Sequence, residues 1–259
     1  MGKLIFFDID GTLTGLENPG HIYDSTRLAI DKLRKNGHEV ALATGRAAFR
    51  AKQFQEEIGI EHMICEGGNQ VVMNWETIVY HPIDQSIAQA IYQKALAYDF
   101  GVAISTSDTR VRFTPNKKFL EEAGDIHDFM DVILDQNLDF STIGQIRRLF
   151  LTIPQGKENW IPEIDQIGRM HYKDDQFTIV EPDDKYAGIK ELCQYMGKQE
   201  SDIVVFGDGL NDRKMFQEAP FSIAMGNAIP ELKEMADYVC EDSDHDGIYL
   251  ACKHFGWIE

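Results

Sequence analysis

The chain has 259 residues, 43% of them hydrophobic, and a formal net charge of −18 from 43 acidic against 25 Lys and Arg side chains. That length allows one large domain or two unequal ones around ample cores. A surface this acidic lacks the basic face that a nucleic acid or an anionic membrane needs, so neither is an expected partner.

The first apolar run, Leu4 to Phe7, is too short for the core of a signal peptide. No stretch approaches the roughly 18 apolar residues of a membrane span, and a cytoplasmic protein is the expectation. From there, β-rich runs alternate with helical patterns: KLIFFD, a helix over 25 to 36, HEVALA, and a helix over 47 to 58. The first helix has Asp24 or Ser25 as N-cap, Leu28, Ala29 and Leu33 as its apolar positions, and Gly37 beyond its end. This alternation predicts parallel strands joined by crossover helices, a Rossmann-like doubly wound α/β sheet. After HMIC at 62 to 65, the runs VVM and TIVYH flank Asn74-Trp75-Glu76 and read as a hairpin, followed by a helix near 84 to 98. Residues 101 to 181 mix VAIST, RVRFT, RRLFLTI and QFTIV with helical pieces near 117 to 130 and 157 to 168. They predict an antiparallel sheet with helices on one face, a second α+β domain. From Lys185 the first rhythm returns through DIVVF, FSIAM and DYVC. The expected division is therefore a core of 1–82 and 183–259 carrying an inserted domain of 83–182. Cys65, Cys193, Cys240 and Cys252 form no CxxC pair, and the eight histidines show no HxxxH or HExxH spacing. Isolated buried thiols and packing or surface histidines follow, rather than a disulfide framework or a zinc site.

Ligands of an open parallel sheet bind at the carboxyl ends of its strands. Three such ends carry chemistry here: Asp8-Ile9-Asp10-Gly11-Thr12 after KLIFF, Thr44-Gly45-Arg46 after HEVALA, and GDGLND, Gly207 to Asp212, after DIVVF. They direct Asp8, Asp10, Asp208, Asn211, Asp212, Thr44 and Arg46 toward one place. Several carboxylates that close together require a counter-charge, and oxygen-only ligands favour Mg2+ over zinc. Gly11 permits close backbone approach, the Thr44 hydroxyl suits an anion, and Lys185 begins a helix from which its ammonium reaches the same pocket. In an extended segment Ile9 as single spacer would turn both acids of DID to the same crevice. Separately, each feature has an ordinary structural reading as a cap, a turn or a solvated charge; their order along the chain is what points to chemistry.

DIDGTLT, ATGR, Lys185 and GDGLND, in this order and with an insertion between the second and third, resemble the four motifs of haloacid dehalogenase superfamily phosphatases of the Cof-like, type IIB branch. AMGNAIPELKEMADYVCEDSDHDG, from Ala224 to Gly247, also follows that branch's closing pattern. The resemblance implies that Asp8 is the nucleophile toward a small phosphomonoester such as a sugar phosphate, and that Asp10 is the general acid and base. It further implies Mg2+ held by the Asp8 carboxylate, the Asp10 backbone carbonyl and Asp208, with Asp212 orienting a water. Thr44, Gly45 with its neighbouring amides, Arg46, Lys185 and Asn211 would bind the phosphoryl group, and Lys185→Ala is expected to lose activity while staying folded. The branch's Asn-Gly pair after the third strand is missing, Gly67 standing where the Asn would fall and Asn69 nearby. In the insertion, Arg110, Arg112, Arg147 and Arg148 are read as solvated surface positions, the alternative reading being contact with a substrate's distal groups. A phosphomutase, an Asp-phosphorylated receiver module and a phosphate-ligand-binding protein stay open as other readings. A monomer or homodimer is expected, and a substrate cannot be read from the insertion.

Overall fold

In the computed structural model, which describes residues 2–140, 142–172 and 176–259, the chain divides into two compact units, Met1–Tyr80 with Asp184–Glu259 and His81–Asp183. The first opens with β1 (Leu4–Phe7), α1 (Asp24–Lys35), β2 (Glu39–Ala43), α2 (Ala48–Ile58) and β3 (His62–Cys65), then the hairpin β4 (Gln70–Met73) and β5 (Glu76–Tyr80). The second unit contains α3 (Gln85–Ala97), β6 (Gly101–Ser105), β7 (Val111–Thr114), α4 (Lys118–Glu122), β8 (Asp131–Leu134), β9 (Arg148–Thr152), β10 (Arg169–Tyr172) and β11 (Phe177–Val180). The chain then returns to the first unit with α5 (Lys185–Tyr195), β12 (Ile203–Gly207), α6 (Arg213–Glu218), β13 (Ser222–Ala224), α7 (Pro230–Met235), β14 (Tyr238–Val239) and α8 (Gly247–His254).

The core sheet runs β14-β13-β12-β1-β2-β3-β4-β5, parallel from β14 to β3 and antiparallel through β4 and β5. Its central strands, β13, β12, β1, β2 and β3, are buried on both faces because both are covered. Ile5 and Phe7 of β1 join one cluster with Ile30 and Leu33 of α1, Phe54 of α2 and Ile248 of α8, while Leu4 and Phe6 join another with Ile189 of α5, Met215 of α6 and Leu232 of α7. This is the doubly wound arrangement the alternation predicts. Successive strands leave β1 in one direction through β2 and β3 and in the other through β12, β13 and β14, so the strand order reverses between β1 and β12. That reversal opens a crevice at their carboxyl ends.

Details of α1 differ from expectation. Asp24 is its first residue and Tyr23 its N-cap, without a side-chain cap bond. Asp24 acts instead through its charge near the helix N-terminus. Leu28 faces solvent, and Thr26, Ala29, Ile30 and Leu33 form the buried stripe that a 3.6-residue period selects.

The second unit's sheet runs β10-β11-β9-β6-β7-β8 and is mixed, β7 and β8 being parallel. Helices cover both faces rather than one: α3 packs with Val102, Ile104, Leu149 and Leu151, whereas Phe119 and Ala123 at α4 pack with Ala103, Phe150, Phe177 and Ile179. The helix expected near 117 to 130 shrinks to α4, and Gly124 just beyond it takes a φ of +67°. Of 157 to 168 only a 3-10 turn, Pro162–Gln166, is helical. Pro162 forces Ile161 out of helical geometry, at φ −118° and ψ 77°. The arginines of the second unit also depart from a uniformly solvated reading. Arg110 bonds the His127 and Asp128 carbonyls. Arg112 is buried over the Phe150 ring, 5.0 Å from its centroid. Arg147 is half-buried, and buried Arg148 lies 2.6 Å from Glu181. All four cysteines are free and buried.

Candidate active site

The site lies in the first unit, at the carboxyl ends of β1 and β12. Asp8 extends β1, its N–H donating to the Phe206 carbonyl at 3.1 Å. The next residues turn sharply: the Leu13 and Thr14 N–H groups donate five residues back, to Asp8 and Ile9, at 3.1 and 2.9 Å. Gly11 sits at φ +77°, and a Cβ there would come within 2.3 Å of Asp208 Oδ2. Both conditions select glycine. The Thr12 hydroxyl donates to Asp208 Oδ1 at 2.9 Å, joining the first and last motif loops.

Lys185, the first residue of α5, is only 1% exposed. Its Nζ donates to Asp8 Oδ1 and Asp212 Oδ1, each at 2.6 Å. The other oxygen of Asp212 accepts from the Asp208 and Gly209 N–H groups at 3.0 and 3.1 Å. Both Asp212 oxygens are thus committed to protein donors. The lysine's placement comes from α5: the Asp184 side chain caps the helix at the Ala187 N–H, and a Cβ on Gly68 would come 2.0 Å from the Asp184 carbonyl. The loop after β3 therefore meets the helix start closely. Asn69 ends that loop, its N–H donating to the Glu66 carbonyl at 3.3 Å.

Ligand atoms of Asp8, Asp208 and Asp212 lie within 4.8 Å of one another. Burial pushes the Asp8 carboxyl up to about 8, with Asp212 and Asp208 adding and Lys185 opposing. Burial likewise raises Asp208, to about 6, against the Thr12 hydroxyl bond. Burial works against the Lys185 ammonium too, but Asp212 and Asp8 outweigh it and hold its pKa above the usual lysine range. Two buried carboxylates and the half-buried Asp208 against one ammonium leave excess negative charge in a low-dielectric place. An all-oxygen donor set with that charge fits a hard divalent cation such as Mg2+.

The Asp10 carboxylate is not one of the three grouped above, though it stays within electrostatic reach of Asp208, as Asp8 does of Arg46. The extended segment ends at Asp8, and the turn that follows carries the Asp10 carboxylate to Arg46. Its side chain is 59% exposed, and its two oxygens accept from Arg46 Nε and Nη2 at 2.7 and 2.5 Å. Arg46 in turn stacks over Phe54, 4.9 Å from the ring centroid. Thr44 is buried at the end of β2, its Oγ1 accepting from the Arg46 N–H at 3.1 Å across Gly45. Asn211 is exposed in the single 3-10 turn Leu210–Asp212. Two contributors were not assigned roles from sequence: Thr12, visible inside DIDGT, and Asn227, inside AMGNA, whose Nδ2 donates to the Gly11 carbonyl at 2.7 Å.

The model of the haloacid dehalogenase-like hydrolases matches residues 5–251. A relative in Bacillus subtilis (strain 168), YkrA, provisionally named a phosphatase, is 32% identical, with 99% of each chain covered. BT1666 from Bacteroides thetaiotaomicron, described as a phosphatase of the haloalkanoate superfamily, superposes with a TM-score of 0.85 at 26% identity, over 100% of this chain and 96% of its own. BT4131, described as a subclass IIB sugar phosphatase, gives 0.79 at 26% identity over 99% and 100%. The four motifs, the doubly wound core and the buried acid–lysine cluster thus share one explanation, and the chain belongs to the haloacid dehalogenase-like hydrolase family, on its Cof-like, type IIB branch.

Proposed function

We propose that this protein is a Mg2+-dependent phosphatase of small phosphomonoesters, sugar phosphates being the favoured class on its likeness to BT4131. The observation that carries this reading is the buried Asp8 carboxylate, fixed by Lys185 at 2.6 Å and grouped with Asp208 and Asp212 at the strand ends. Asp8 and Asp208, with the Asp10 backbone carbonyl, would hold Mg2+, which supplies neutralising charge to the phosphoryl oxygens and keeps Asp8 ionised. Asp212 stands behind them, holding Lys185 and the loop amides.

Asp8 attacks phosphorus, the bond to the leaving oxygen breaks, and an aspartyl phosphate forms on Asp8. Asp10 gives a proton to the departing alkoxide, then takes one from the water that releases phosphate and regenerates Asp8. Both oxygens of Asp10 are engaged by Arg46, so this role requires the carboxyl to leave the fork. Its exposure leaves room for that rotation. Lys185, Thr44, Asn211, Arg46 and the amides around Gly45 are assigned to phosphoryl binding, where fixed donors supply most of the transition-state stabilisation. A cytoplasmic location belongs to the same reading, in keeping with four free thiols. Among the described residues no helix is long and apolar enough to cross a membrane.

The test is Mg2+-dependent release of inorganic phosphate across a panel of small phosphomonoesters, with Asp8→Asn as control. Wild type should turn over several of them, and the variant should lose on the order of 10³-fold or more in kcat. Isomerised hexose phosphate without free phosphate would show a mutase instead. Activity surviving in Asp8→Asn would refute the covalent route.

A further inference from the structure

The loop between β13 and α7, Met225 to Ile229, grips both loops that carry the buried acids. The Ile229 N–H donates to the Asp208 carbonyl at 3.0 Å. Asn227 Nδ2 donates to the Gly11 carbonyl at 2.7 Å, and its Oδ1 accepts from the buried Ser243 N–H at 2.9 Å. Gly11 and Thr12 share the peptide whose oxygen Asn227 holds, and the Thr12 hydroxyl reaches Asp208 Oδ1 at 2.9 Å. These bonds close a ring: Asn227 to Gly11–Thr12, Thr12 to Asp208, Asp208 to Ile229, and Ile229 back along the chain to Asn227. The ring is braced from behind, because the Gly226 N–H donates to the Glu241 carbonyl at 3.1 Å and a Cβ on Gly226 would lie 2.5 Å from the Asp242 nitrogen.

An asparagine meets both demands of its position, since one terminal atom donates to a carbonyl and the other accepts from an N–H. Aspartate keeps the acceptor and loses the donor; alanine loses both. We infer that Asn227 is a positioning residue: by holding the Gly11–Thr12 peptide it keeps the Thr12 hydroxyl on Asp208 and sets the spacing of the two acid loops that take the divalent cation. The inference rests on the metal-dependent reading above. A plain loop brace would contribute to stability alone. A positioning residue acts on the cation site, because small displacements of ligands weaken a metal site out of proportion to their effect on the fold.

The test is calorimetric titration of Mg2+ alone into wild type, Asn227→Asp and Asn227→Ala, paired with steady-state hydrolysis of p-nitrophenyl phosphate. Asp244→Ala serves as the control that loosens an adjoining segment without bonding Gly11 or Asp208. Both Asn227 variants should bind Mg2+ about 10-fold more weakly and lose kcat by about 10-fold or more, with KM changed far less. Asn227→Asp is the sharper case, since its added negative charge would tighten a site governed by charge alone. Asp244→Ala should keep the wild-type Mg2+ affinity. Unchanged Mg2+ affinity in the Asn227 variants, equal weakening in Asp244→Ala, or an Asn227→Asp chain that fails to fold would each overturn the assignment. A wild type that binds Mg2+ and releases no phosphate would refute the phosphatase reading while leaving this one to be decided by the titrations.

Discussion

Lys185 shows what burial changes about a single side chain. As a surface lysine at a helix start it would be expendable for folding, but here it is 1% exposed and neutralises two buried carboxylates. Removing one partner of a buried ion pair leaves an uncompensated charge, typically at a cost of about 3–5 kcal/mol. Lys185→Ala should therefore lose stability as well as activity, by roughly that amount in urea unfolding with the metal chelated. Saturating Mg2+ should return part of it, about 2.7 kcal/mol at 100 times the dissociation constant. Equal stability of variant and wild type in chelator would show that Asp8 and Asp212 do not need this counter-charge. Thr12 and Gly11 make the same point: their spacing from Asp8 is readable in sequence, whereas their approach to Asp208, nearly two hundred positions along the chain, is a tertiary fact.

Among elements, the loop after α7 and β14 ties the two ends of the first unit together. Asp244 accepts from the Leu16 N–H at 3.1 Å and the Tyr23 hydroxyl at 2.7 Å, and from the Glu17 N–H at 3.3 Å. Burial pulls its carboxyl upward, but the Tyr23, Leu16 and Glu17 bonds outweigh it and hold its pKa below the ordinary 3.8. A carboxyl depressed in the folded state contributes stability above its unfolded pKa and loses it as pH falls through the folded value. Asp244→Ala should cost about 1.5–3 kcal/mol at pH 7 in urea unfolding, the range for hydrogen bonds to a charged group. That difference should shrink below pH 3.8 as wild-type Asp244 protonates. A gap constant down to pH 3 would assign the effect to packing. Among the strands, β1 and β12 were legible because continuous apolar runs ending in glycine or acid are what doubly covered parallel strands require. The helix near 117 to 130 was not, since its pattern belonged to a single α4 turn and a loop packed on Phe150 and Phe177.

At the scale of the molecule, a net charge of −18 opposes the approach of a phosphate dianion, while attraction is confined to the proposed cation, Lys185 and Arg46. The repulsion extends about 30 Å at 10 mM salt and about 8 Å at 150 mM. Raising salt across that range at fixed Mg2+ should therefore raise kcat/KM for a dianionic ester, by about two- to fivefold. A fall in kcat/KM would mean that the local positive groups dominate the approach even at long range.

Sequence by itself determined the doubly wound core and the family, and marked the residues that gather at the strand ends, because strand periodicity, glycine-bearing loops and the order of four motifs are properties of short contiguous stretches. Tertiary structure decided how those residues are shared out. Asp8 and Asp10, two positions apart, part company because the chain turns after Asp8, sending one acid inward to Lys185 and the other outward to Arg46. It also decided that Asp212 has both oxygens filled by protein donors and that Asn227 holds the Gly11 carbonyl. Such pairings join segments that only the sheet order β12-β1-β2 makes neighbours, and no local pattern records which distant group a buried polar atom will meet.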